Sequence, residues 1–286
     1  MPELPEVEVA ARNLRRWAVG RTVRDVSSHG AARIFRPQTS RAAARLAGAR
    51  FTEVNRVGKN LLLTLRQAAG PVGVWSHLGM TGKWLCGPAA GTPPRFARVS
   101  LALDDDRALH YCDMRLFGRF QVLAGGKFSA VPELAALGPD PLNDGIDAVA
   151  LHGRLQRLTV PIKVALLDQS LLAGVGNIQA NEALFRARLD PRRPARTLTV
   201  AEVRRLRRGI LASIQFTLKQ FAAEGADSGD SEIRYVEEPG TPNPFLVYGR
   251  AGQRCPRCRQ STVVRIVQAG RSTFYCPACT LPPDSR

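Results

Sequence analysis

Four cysteines near the C-terminus constrain this chain more than any other feature. Cys255 and Cys258, then Cys276 and Cys279, form two C-x-x-C pairs with 17 residues between them. Each pair presents two thiolates from one tight turn, and two such turns complete the tetrahedron that zinc prefers. The opening, Met1-Pro2-Glu3-Leu4-Pro5-Glu6, lacks the basic stretch and apolar run of a secretory leader. No apolar run approaches the ~18 residues of a membrane span. A cytoplasmic, reducing location is therefore expected, and there paired C-x-x-C motifs hold zinc far more often than they form disulfides. The spacing predicts one structural zinc in a small ribbon from about 248 to 280. Cys86 and Cys112 stand alone in strand-like sequence and read as ordinary buried thiols.

Charge narrows the partner. Lys and Arg number 41 against 24 Asp and Glu, a net charge of +17. That imbalance favours a polyanion, with nucleic acid first and an anionic membrane surface second. The 286 residues suffice for more than one core. Val7, Ala10, Ala11, Leu14 and Trp17 recur at helical spacing and predict an amphipathic helix over 5–18. From 21 to 125 the pattern shifts to short runs (61–65, 72–75, 99–103, 120–123) divided by Gly, Pro and Asp, which predicts a β-sandwich or barrel. The breaker-dense stretch 138–147 reads as a linker. Residues 147–222 are helical in pattern, interrupted at Gly174-Val175-Gly176-Asn177. The stretch 224–244 has no apolar periodicity and reads as a long functional loop. The expected domains are thus 1–137, a linker 138–147, 148–247 with the loop 224–244, and a zinc finger 248–286.

The N-terminus admits two readings. If Met1 is removed, Pro2 carries a free secondary amine, and an α-amino group with a pKa near ~8 is partly unprotonated at neutral pH. Such an amine can attack a sugar C1′ and form an iminium ion, with Glu3, or Glu6 one turn on, moving protons. The other reading is structural: proline near the start of a helix with glutamates in its first turn suits capping and the macrodipole.

Six segments in order bear on that choice: PELPEVE at 2–8, Lys59 before the strand 60–63, SHLGMTG at 76–82, DMRLFG at 113–118, LLAGVGNIQANEALF at 171–185 and VYGR at 247–250, followed by the finger with Arg271. In these the chain resembles the formamidopyrimidine-DNA glycosylase and endonuclease VIII family, over its whole length. The resemblance implies an α+β multidomain fold: an N-terminal β-sandwich with a flanking helix, a helix–two-turn–helix domain and a C-terminal zinc-finger hairpin. It implies Pro2 as nucleophile, Glu3 as proton donor, Lys59 beside the lesion and Lys163 lining the site. Asn177 and Arg271 would hold phosphates, while Met80, Arg115 and Phe117 fill the gap left by a flipped nucleotide. Glu6 remains a candidate for catalytic support, and His77 reads as structural.

The implied activity is base excision of oxidised purines from double-stranded DNA, with β,δ-elimination at the abasic site, by a bacterial, nucleoid-associated monomer. Alternatives are a relative acting on oxidised pyrimidines or abasic sites, and a zinc-ribbon DNA-binding protein without catalysis. Departures from the family pattern fall at Leu116 (usually Arg), at Gln179 (usually Tyr), in a finger spacing one residue longer than usual, and in the acidic loop.

Overall fold

The computed structural model describes residues 2–30, 32–225, 234–236, 238 and 240–280. The chain divides into two compact units: Met1–Ala135 with Phe221–Glu238, and Ala136–Gln220 with Pro239–Arg286. No described helix is long and apolar enough to cross a membrane.

The first unit opens with helix α1 (Leu4–Ala18), in which the five residues at helical spacing are all buried. Strand β1 (Val23–Ser28) and the short helix α2 (Arg41–Ala44) follow. Seven more strands come next: β2 (Arg50–Val57), β3 (Asn60–Gln67), β4 (Gly70–His77), β5 (Lys83–Pro88), β6 (Ala97–Leu103), β7 (Arg107–Cys112) and β8 (Arg119–Ala124). The short helix α3 (Pro132–Ala135) comes after them. The strands form two four-stranded antiparallel sheets, ordered β1-β6-β7-β5 and β2-β3-β4-β8. The expected sandwich is therefore present. Alternation drives it: Leu61, Leu63 and Leu65 on β3 are each 0% exposed, and a strand turns successive side chains to opposite faces. The two sheets meet through aromatic rings. Trp84 on β5 lies 5.4 Å from Tyr111 on β7 and 6.0 Å from Phe120 on β8 of the other sheet, within the range favoured by ring quadrupoles.

The second unit carries α4 (Ala148–Leu155), α5 (Ile162–Ala165), α6 (Asn177–Ala187) and α7 (Val200–Ala223), the last running on to the boundary with the first unit. The Asp147 side chain caps α4 by accepting from the Val149 and Ala150 N–H groups, an arrangement worth about 1 kcal/mol. Thr199 and Glu202 form a reciprocal capping box at the start of α7. The hairpin β9 (Val264–Gln268) and β10 (Arg271–Tyr275) completes the unit. The stretch expected as a linker is a folded part of this unit. Asp140 is 0% exposed and accepts from the Leu142 and Asn143 N–H groups, while the Gly138 N–H donates to the Gln169 carbonyl. A Cβ on Gly138 would stand 2.1 Å from the Ser170 carbonyl oxygen, so only glycine permits that approach.

Candidate functional site

In the first unit, residues 2–7 are buried. Pro2 is among them, and Glu3 and Glu6 are only 2% and 6% exposed. Glu3 is the N-cap of α1: its side chain accepts from the Glu6 N–H, and the Glu6 carboxylate accepts from the Glu3 N–H at 2.9 Å. Burial, and then the neighbouring Glu3 charge, push the Glu6 carboxyl up to about 7. Two buried carboxyl groups thus stand next to the buried proline in the chain, and the raised Glu6 value places one proton exchange near neutral pH. The local sequence explains the geometry. Pro5 sits in the first turn, where its missing N–H costs nothing.

Lys59 lies in the two-residue loop that joins β2 to β3, where Gly58 adopts φ 58°. That loop is held from below. The guanidinium of Arg56, itself 0% exposed, donates to the Gly58 carbonyl at 3.0 Å and pairs with Glu8 on α1 at 2.8 Å. Glu8 keeps a carboxyl below its ordinary range: burial opposes this, but the Arg56 hydrogen bond and charge prevail. Neither Arg56 nor Glu8 was expected as a site residue. His77 at the end of β4 accepts from the Gly79 N–H through Nδ1, and burial, with Lys59 and Arg119 nearby, pushes its pKa down to about 4. It is neutral at neutral pH, in keeping with a structural role.

Met80, Arg115 and Phe117 occupy two loops pressed against each other. A Cβ on Gly79 would stand 2.5 Å from the backbone of Phe117 and Gly118. The buried Asp113 carboxylate ties the loops together by accepting from the Thr81 hydroxyl and the Arg115 and Gly118 N–H groups. Met80 is half-buried, Arg115 exposed, and Phe117 45% exposed. The Phe117 ring carries two guanidinium groups, those of Arg33 at 5.0 Å and Arg115 at 5.1 Å. An exposed phenylalanine flanked in this way suits insertion against a base step. Leu116, the departure from the family pattern, takes a left-handed φ of 56° between them.

Of the acidic loop, Asp227, Asp230, Glu232 and Glu237 lie outside the described residues. Its later part is anchored to the first unit. Tyr235 is 5% exposed and donates to the Gly82 carbonyl at 2.6 Å, and Glu238 pairs with Lys83 at 2.8 Å.

In the second unit, Lys163 on α5 is 0% exposed. Asn177 begins α6, and its Nδ2 donates to the Ser272 carbonyl at 3.1 Å, which brings it beside Arg271 at the start of β10. Arg271 is exposed, following a turn in which Ala269 and Gly270 both have positive φ. Gln179, the second departure, is 0% exposed and satisfied: its amide donates to the Thr217 hydroxyl and accepts from the Ser213 hydroxyl, both on α7. A polar pair on α7 therefore answers the loss of the usual tyrosine.

Cys255, Cys258, Cys276 and Cys279 bring their sulfur atoms within 4.8 Å of one another. Cys255 and Cys279 are 3.6 Å apart, and Cys258 and Cys276 3.8 Å. Four sulfurs at about 2.3 Å from a tetrahedral zinc would be about 3.8 Å apart, so the set fits one structural Zn2+ and the longer spacing does not disturb it. Backbone N–H groups of Ser261 and Gln260 push the Cys258 thiol down to about 6, whereas burial and the neighbouring cysteines push Cys276 up and Cys279 up to about 12, so a metal would have to displace those protons. The finger is seated on α6. The buried Glu182 carboxylate accepts from the N–H groups of Leu246, Val247 and Tyr248, and Asn181 accepts from that of Phe274. Glu182 was not expected either. Its only sequence signal is an acidic residue immediately before the apolar run Ala183-Leu184-Phe185.

Comparison with known proteins accounts for this arrangement. Residues 1–120 match the formamidopyrimidine-DNA glycosylase N-terminal domain, 137–226 its H2TH domain, and 252–280 a zinc finger found in FPG and IleRS. A formamidopyrimidine-DNA glycosylase of Thermus thermophilus is 41% identical, covering 98% of each chain. One of Symbiobacterium thermophilum is 40% identical over 99% of this chain and 90% of its own. Among solved structures, a complex of Lactococcus lactis Fpg with DNA containing an abasic site aligns with a TM-score of 0.83 at 26% identity. Another, with DNA containing N7-benzyl-Fapy-dG, aligns with a TM-score of 0.83 at 27% identity, and each covers 98% of this chain and 100% of the other. The chain belongs to the formamidopyrimidine-DNA glycosylase family.

Proposed function

We propose that the protein is a bifunctional DNA glycosylase and abasic-site lyase that acts as a monomer on duplex DNA. Its substrates in this reading are oxidised purines, 8-oxoguanine and ring-opened formamidopyrimidines. The observation that carries the reading is the joint burial of Pro2, Glu3 and Glu6, with one carboxyl titrating near neutral pH. A helix start in a pure binding protein has no need to bury two carboxyl groups against its first residues. Glycosylase relatives and DNA-bound structural neighbours support the same choice.

With Met1 removed, the Pro2 nitrogen forms a bond to C1′ of the flipped nucleotide. The glycosidic bond breaks, and the base leaves with the proton that the Pro2 N–H gives up. Glu3 gives a proton to the sugar ring oxygen as the ring opens, leaving an iminium ion. A carboxylate takes a C2′ proton as the 3′-phosphate is expelled, loss of the C4′ proton expels the 5′-phosphate, and water hydrolyses the iminium to free Pro2. Glu6 holds the Glu3 backbone and limits negative charge beside it. Lys59, Lys163, Asn177 and Arg271 take the phosphate and near-lesion contacts, with Arg271 carried on the zinc-held hairpin, while Met80, Arg115 and Phe117 replace the extruded base in the stack. The loop 224–244 serves as a lid that tunes lesion choice.

Incubation with an 8-oxoguanine duplex and borohydride tests the reading. It requires release of the free base, strand cleavage at the same site and a trapped covalent adduct. Release of base without any trapped adduct would refute the Schiff-base route.

A further inference from the structure

Separate segments of the first unit meet at the Phe117 ring. Arg115 and Phe117 belong to the loop 113–118, and Arg33 comes from the short 3-10 turn Ala32–Phe35 far earlier in the chain. That turn is fixed from within. Ile34 is 1% and Phe35 0% exposed, and the Phe35 ring lies 5.9 Å from that of Phe120 on β8. Arg33 is exposed, and its guanidinium stands 5.0 Å from the centre of the Phe117 ring.

The charge of Arg33 is not spent inside the protein. Segments 29–36, 76–82 and 113–118 carry Arg33, Arg36 and Arg115 but a single acidic residue, Asp113. Asp113 is 0% exposed, and its oxygens accept from the Thr81 hydroxyl and from the Arg115 and Gly118 N–H groups. Arg33 forms no ion pair with any described residue. Arg21, Arg24 and Arg192 are exposed too, yet each lies against an aspartate, Asp105, Asp106 and Asp190 in turn. Attraction to the ring face accounts for one guanidinium beside Phe117, that of Arg115 two residues away. A second one, brought in from another segment, adds repulsion between like charges with no carboxylate to offset it. A bound polyanion offsets it.

We propose that Arg33 is a further DNA-contacting residue, one that takes a backbone phosphate beside the base step that Phe117 enters. This rests on the reading of Phe117 as a residue inserted in the stack. Phosphates of one strand follow each other about every 3.4 Å along the duplex axis. A guanidinium 5.0 Å from the ring centre is therefore within reach of the nearest of them once the ring stands against a base step, and its planar fork suits a phosphate. Arg33 so compensates for Leu116, where the family pattern has an arginine on the same loop. The contact forms only when the ring is inserted, so it favours DNA with a gap in the stack over intact DNA.

Arg33→Gln tests this on two short duplexes of one sequence. One is intact, and the other carries a single tetrahydrofuran abasic analogue, which has no base to release. The proposal requires Kd for the tetrahydrofuran duplex to rise about three- to tenfold at low salt and its log–log salt slope to fall by about 0.9, the share of one phosphate, with the intact duplex changed far less. The melting temperature should hold, because the side chain is exposed. Leu116→Arg added to Arg33→Gln should restore most of the lost slope, and failure to do so overturns the compensation. Unchanged affinity and slope overturn the proposal. Equal losses on both duplexes overturn it too, since Arg33 would then be a general positive charge. Phe117→Ala separates the proposal from the reading beneath it. If Phe117→Ala prefers the tetrahydrofuran duplex as strongly as the wild type does, insertion of Phe117 itself is refuted. If that preference collapses in Phe117→Ala but is intact in Arg33→Gln, the Arg33 contact alone is refuted.

Discussion

The start of the first unit and the finger of the second solve opposite problems with similar means. The finger assembles four cysteines from two turns around a point, and its hydrophobic surroundings, Phe185, Val247, Val263 and Phe274, are few. Without metal, that small apolar cluster and the hydrogen bonds to Glu182 and Asn181 are what remain to hold it. The N-terminal site is the reverse. Pro2, Glu3 and Glu6 come from one continuous stretch, and the packed helix and sandwich behind them impose their burial. One site makes its fold, and the other is made by its fold. Loss of the finger's ligands should therefore be a folding event, and loss of an N-terminal side chain a chemical one.

The largest effect expected is from zinc removal. Structural zinc contributes on the order of 10 kcal/mol to comparable fingers, so chelation or Cys258→Ser should abolish tight DNA binding. All three tryptophans, Trp17, Trp75 and Trp84, lie in the first unit. Their fluorescence should stay native in the chelated protein while binding is lost; a tryptophan shift on chelation would mean that the units do not separate in this way.

Glu3→Gln should divide chemistry from capping. Glutamine keeps an oxygen to accept the Glu6 N–H, so stability should fall by no more than about 1 kcal/mol. Base excision should fall by roughly 10²–10⁴, the usual worth of a positioned acid. Equal losses in melting temperature and activity in single-turnover assays would favour the purely structural reading of this residue.

A smaller effect, with a defined sign, attaches to Glu6. Its folded pKa is raised from 4.5 to about 7. The stability linked to it is therefore present below about 4.5 and lost as pH rises through about 7. Glu6→Gln removes that titration, so thermal melts should show the variant gaining on the wild type between those limits, by at most ~3 kcal/mol. A difference independent of pH would show that Glu6 does not titrate in this range.

The smallest is Tyr235→Phe, which removes one hydrogen bond from the anchored end of the acidic loop, worth about 1 kcal/mol. The ratio of 8-oxoguanine to formamidopyrimidine excision should shift a few-fold, and cleavage at a pre-formed abasic site should hold steady, because no base has to be retained there. Matching declines in both activities would make the loop part of the DNA-binding surface and not a lid.

How much of the molecule is legible in its sequence follows the same division. Ligand spacing is itself the chemistry of a zinc site, so Cys255 to Cys279 are legible as they stand. The amphipathic helix and the strands around Leu61, Val72, Val99 and Phe120 are legible because burial has a period. The N-terminal glutamates are not decidable on local grounds, since capping and proton transfer ask for the same residues at the same spacing; only whole-chain resemblance tips the balance. Tertiary partners are invisible. Arg56 beneath the Lys59 turn, Glu182 under the finger, and Ser213 with Thr217 around Gln179 each act on residues more than 30 positions away or across a helix crossing. The segment 138–147 misleads because breaker residues there belong to a folded turn, with Gly138 packed against Ser170 and Asp140 buried.

Peptide mapping of the borohydride-trapped adduct tests the central claim most directly. Digestion and mass analysis should place the deoxyribose remnant on the nitrogen of Pro2 in protein lacking Met1, and protein that retains Met1 should give no adduct. A remnant found on Lys59, Lys163 or any other internal lysine would contradict the account.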